Sequence, residues 1–135
     1  MHPDPDRITI VPLFSDLSDD ERTRLASWLD EERFDAGSHI TREGASDYEF
    51  FVLVDGEVQV SHEGTNIATL RPGDVFGELA ILGGGRRRAD VTALTDVVLW
   101  SMFGTRFREM QLSMPQVATA LQSLADERGR TLGDA

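Results

Sequence analysis

The chain has 135 residues, a formal net charge of −11 at pH 7, 40% hydrophobic and 27% charged residues, and no cysteine. That length accommodates one domain with its own core, and the lack of cysteine excludes disulfide frameworks, thiol catalysis and thiolate zinc sites. The acidity argues against a broad basic face for nucleic acid. No apolar run approaches the roughly 20 residues that cross a bilayer. MHPDPDRITI lacks the basic and apolar regions of a secretory signal, so the expectation is a cytoplasmic protein with no membrane partner and no nucleic-acid partner.

In chain order, residues 1–10 carry two prolines and no hydrophobic period, which predicts a poorly ordered lead-in. Ser18-Asp19-Asp20-Glu21 has the Ser-x-x-Glu form of a capping box. Leu25, Trp28 and Leu29 follow at helical spacing, predicting a helix over about 18–30 with one buried face. From Phe34 to Met102 short apolar runs are punctuated by glycine about every ten residues, the pattern of an antiparallel sandwich or roll. FFVLV-DG-EVQV reads as a hairpin through Asp55-Gly56, while Glu63-Gly64 and Arg71-Pro72-Gly73-Asp74 mark two further reversals. Val91 to Trp100 reads as two strands around Thr95-Asp96. Beyond Met102 the period is helical again, through Phe103, Phe107 and Met110 and then Val117, Leu121 and Leu124, with Pro115 at the start of the last helix. The expected fold is mainly β: a single domain over 1–135, an antiparallel, jelly-roll-like β-roll with an N-terminal helix and C-terminal helices over 103–130.

FGELAILGGGRRRADV interrupts the strand pattern. Gly77 precedes Glu78-Leu79-Ala80-Ile81-Leu82, enough for one helical turn whose N–H groups could face an anion. A guanidinium a few residues later can close on the same anion with two parallel hydrogen bonds. His2, His39 and His62 are scattered, without the spacing of a metal site.

FGELA, a glycine-rich gap and then RRADV resembles the phosphate-binding cassette of the cyclic nucleotide-binding domain family, which includes the bacterial cAMP receptor protein and the protein kinase A regulatory subunits. LFSDLSDDERTRLA, FDAGSHITREG, FFVLVDGEVQV and LRPGDVFGE resemble the preceding segments of that family in order, and the run through Pro115 resembles its hinge and lid helices. The resemblance implies a non-enzymatic regulatory module without cofactor whose C-terminal helices move on cyclic-nucleotide binding, and the absence of the threonine that some cGMP-preferring members carry leans toward cAMP over cGMP. It implies that Glu78 accepts from the ribose 2′-hydroxyl and that Arg87, nine residues on, pairs with the cyclic phosphate. Gly77 and the backbone around Leu79, Ala80 and Ala89 would surround the phosphate, with Arg88 adjacent. Arg88 stands where the family has Ser, Thr or Ala, and Asp90 where Thr or Ser is common. The alternative is a degenerate domain that binds no nucleotide and acts as an interaction or dimerisation module. In either case a homodimer or an effector protein would meet the C-terminal helices.

Overall fold

Ser18 opens the first helix: its Oγ accepts from the Glu21 N–H, and the Glu21 carboxylate accepts from the Ser18 N–H. The capping box therefore forms as predicted, and α1 runs over Asp19–Trp28. It is shorter than expected because Leu29 is already extended and Asp30–Phe34 is a strand, β1. The charged sequence DEERF carries no strand signal of its own; β1 is imposed by antiparallel pairing along β8. The computed structural model describes residues 1–44, 48–78, 82, 87 and 89–131.

The remaining elements are β2 (His39–Thr41), β3 (Glu49–Asp55), β4 (Val58–His62), β5 (Thr65–Leu70), β6 (Val75–Phe76), β7 (Asp90–Ala93), β8 (Val97–Phe103), α2 (Gly104–Ser113) and α3 (Pro115–Thr131). They build two four-stranded antiparallel sheets, in the orders β1-β8-β3-β6 and β2-β7-β4-β5. The fold is thus the predicted antiparallel roll with flanking helices.

The central strands β3 and β8 of the first sheet are buried on both faces. Phe50, Val52, Trp100 and Met102 join the helices and N-terminal turns in one core, while Phe51, Leu53, Val97 and Leu99 pack against the second sheet in another. Successive side chains of a strand point to opposite faces, so a strand between two cores is apolar at every position, as FFVL is.

Three sequence expectations are corrected. Asp55-Gly56 is not a hairpin turn, because β3 pairs with β6 and β8 whereas β4 pairs with β5 and β7. Here the chain crosses from one sheet to the other, and a Cβ on Gly56 would collide with the Asp96 carbonyl. The two-residue hairpin lies instead at Glu63-Gly64, where both residues have positive φ (51° and 80°) and His62 pairs with Thr65. Second, residues 1–10 are packed rather than loose: Pro5–Ile10 is a 3₁₀ helix capped by Asp4, Ile8 is fully buried, and the Arg7 guanidinium lies 5.6 Å from the Trp100 ring centroid. Third, Phe103 is not part of the buried helical stripe. It ends β8, caps α2 and is 62% exposed, whereas Phe107, Met110, Val117 and Leu121 are in the core.

Candidate functional site

Among the described residues only two charged side chains are buried, Glu78 (1% exposed) and Arg87 (4%). Taking a charge out of water is costly unless partners replace the solvent. The partners of both residues are therefore the place to look for function.

Arg87 is held by backbone. Its Nη2 donates to the Glu49 carbonyl at 2.8 Å and its Nη1 to the Gly77 carbonyl at 3.3 Å. The guanidinium lies 5.6 Å from the centroid of Phe51, which stacks on Phe76 at 4.9 Å. A cation over an aromatic face is attracted by the ring quadrupole, so the guanidinium has an aromatic floor and two carbonyl anchors.

Gly77 makes this placement possible. Its φ is +96°, and a Cβ there would sit 2.6 Å from the Glu49 carbonyl oxygen and 2.8 Å from Arg87 Nη1. The sequence suggests that Gly77 lets an anion approach; in the structure its demonstrable task is to let Arg87 and the end of β3 approach.

The chain around Arg87 is pinned by the end of β2 and the turn after it. The Gly44 N–H donates to the Arg87 carbonyl (2.8 Å), and Thr41 Oγ1 donates to the Ala89 carbonyl (3.2 Å). Asp90 Oδ1 accepts from the Glu43 N–H (2.6 Å). Asp90, which departs from the family pattern, thus has its carboxylate engaged in holding this turn.

Glu78 is held by a side chain. Its Oε1 accepts from Nη1 of Arg128, a residue of α3 whose side chain is 27% exposed. Glu78 consequently does not pair with Arg87 among the described residues, and the site joins one carboxylate tied to the C-terminal helix with one guanidinium tied to the roll.

The model of the cyclic nucleotide-binding domain matches residues 31–113. The chain belongs to the cyclic nucleotide-binding domain family. A cGMP-dependent protein kinase (egl-4) of Caenorhabditis briggsae is 43% identical over 84 residues, 62% of this chain and 11% of that protein. A cAMP-dependent protein kinase regulatory subunit of Yarrowia lipolytica is 39% identical over 87 residues, 63% of this chain and 23% of its own. Among solved structures, cAMP-bound PfPKA-R (141-441) superposes with a TM-score of 0.88 at 26% identity, over 96% of this chain and 45% of that one. The chain therefore spans less than a quarter of these two curated relatives.

Within this domain the structure brings together Gly77, Glu78, Arg87 and Ala89 of the residues expected from the sequence. Glu78 and Leu82 are each helical, and the expected turn between them falls outside the described residues. Leu79, Ala80 and Arg88 lie outside the described residues, as do Gly83 to Arg86. Sequence reasoning did not single out Arg128, Glu49, Thr41 or Gly44 as site residues. Glu49 and Gly44 act through backbone atoms, which carry no residue signature. Arg128 is 50 positions from Glu78, and nothing local marks it. Among the described residues no helix is long and apolar enough to cross a membrane.

Proposed function

We propose that this domain is a non-enzymatic sensor that binds a cyclic nucleotide, cAMP in preference to cGMP, and passes occupancy to its C-terminal helix. The observation that carries the reading is the pair of buried opposite charges, Glu78 next to Gly77 in sequence and Arg87 bonded to the Gly77 carbonyl. A cyclic phosphodiester presents a planar anionic edge suited to a guanidinium fork. A ribose hydroxyl needs an acceptor, and a carboxylate is acceptor-only when ionised. The backbone carbonyls of Glu49 and Gly77 hold the fork in a fixed orientation.

The choice of base follows from the absence of threonine in Arg87-Arg88-Ala89-Asp90, given that some cGMP-preferring members carry one there. The relatives include both a cGMP-dependent kinase and a cAMP-dependent regulatory subunit, so the preference rests on that residue pattern. Coupling to the helix rests on Glu78 having two oxygens. One accepts from Arg128 on α3, leaving acceptor capacity for a ribose hydroxyl. A ligand that orders Glu78 thereby stabilises the docked position of α3, and its effect is limited to its differential affinity for docked and released states.

Titration calorimetry with cAMP and with cGMP tests the reading. Saturable heat is expected, with cAMP the tighter ligand. Arg87→Ala should lose about 2–5 kcal/mol of binding, because it removes one half of a buried charge pair. No heat and no thermal stabilisation by either nucleotide at ~1 mM, a concentration that reveals even millimolar affinity, would refute it.

A further inference from the structure

Helix α2 spends its apolar residues Phe107 and Met110 on the core, yet its outer face is not simply a solvated one. Thr105, Arg108, Glu109 and Leu112 recur at i, i+3, i+4 and i+7 and line one side of a groove of about 720 Å³ whose other walls are Tyr48 and Phe103. Tyr48, Phe103 and Leu112 are 57%, 62% and 80% exposed. Three of the seven large hydrophobic side chains left exposed among the described residues thus gather in one groove rather than scattering singly, which is the mark of an interaction surface.

We propose that this face is where a second copy of the same chain docks, with the two α2 helices antiparallel about a local two-fold axis. The argument is charge self-complementarity. Among the described residues the Arg108 side chain has no hydrogen-bond or ion-pair partner, and the carboxylate of the next residue, Glu109, meets Arg106 of its own helix at 3.0 Å. An axis passing between positions 108 and 109 sets Arg108 of each copy against Glu109 of the other. The same axis sets Leu112 against Thr105, with the exposed rings of Phe103 and Tyr48 at the two ends. A two-fold contact must be complementary to itself, and adjacent opposite charges at the centre of an apolar-ended helix face meet that condition.

The surface is small. Seven residues line it, against roughly 20–30 a side in a stable interface, and two chains of net charge −11 repel each other. The dimer is accordingly a weak one, populated at high concentration and held in register by the paired charges.

Sedimentation equilibrium on the full chain from ~10 μM to ~1 mM reads it directly, with a dissociation constant expected between ~0.1 and ~1 mM. Arg108→Glu and Glu109→Arg alone should each weaken the dimer at least ~10-fold, and the double variant should return within ~3-fold of wild type. Leu112→Arg, on the most exposed position, gives a second disruption should a reversal disturb the helix, with thermal melts reporting folding. A chain that stays monomeric at ~1 mM overturns the proposal. So does a dimer indifferent to the single reversals, or a double variant that fails to recover.

Discussion

Removing Arg128 leaves the Glu78 carboxylate, 1% exposed, without its partner. Breaking a fully buried pair costs about 3–5 kcal/mol, while an exposed pair is worth about 0–1 kcal/mol. Here one partner is buried and the arginine side chain is 27% exposed, so water can partly replace the guanidinium. We therefore expect Arg128→Ala to destabilise the fold by about 2–3 kcal/mol. For a chain of this size each kcal/mol moves the melting temperature by about 4 °C, so the midpoint should fall by roughly 8–12 °C in a calorimetric or circular dichroism melt. Glu78→Gln added to that background removes the orphaned charge and should recover at least half of the loss. A fall of less than about 2 °C, or a double variant no better than the single one, would show that the pair does not hold α3 on the roll. The same variant tests the coupling: Arg128→Ala should retain nucleotide binding while the ligand loses its protection of α3 amides from hydrogen exchange.

Gly77→Ala should cost about 2–4 kcal/mol, from left-handed strain and from the collision with the Glu49 carbonyl, which is backbone and cannot swing aside; an unchanged melting temperature would refute the close approach. The Glu21 carboxyl is held below its ordinary value, first by the Ser18 N–H and then by the Gln116 side chain. Its stabilising contribution is therefore present above the ordinary carboxylate range and lost as pH falls through the lowered value. Glu21→Gln should melt lower than wild type at pH ~7, with the gap narrowing as pH falls through the lowered value. A gap that persists in acid would mean that charge is not what Glu21 supplies.

Much of this domain is legible from local sequence because local physics writes it. The capping box is complete within four residues, Ser18 to Glu21, and Pro115 starts α3 where its missing N–H is harmless. The spacing of Glu78 and Arg87 singles both out through the family resemblance, and the structure shows both to be buried. Strand partners are not legible in the same way. FFVLVDGEVQV has the composition of a hairpin, yet β3 and β4 enter different sheets, because pairing is decided by which distant strand lies alongside. DEERF becomes a strand only because β8 offers it an open edge.

What the sequence by itself marked is a β-roll flanked by helices, the reversals at Glu63-Gly64 and Arg71-Pro72-Gly73-Asp74, and the two charged residues Glu78 and Arg87. Tertiary structure alone decided what holds those charges. Arg87 is fixed by carbonyls from Glu49 and Gly77, and a carbonyl is the same in every residue. Glu78 is fixed by Arg128 from the far end of the chain, a contact that exists only once α3 has packed Val117 and Leu121 into the core.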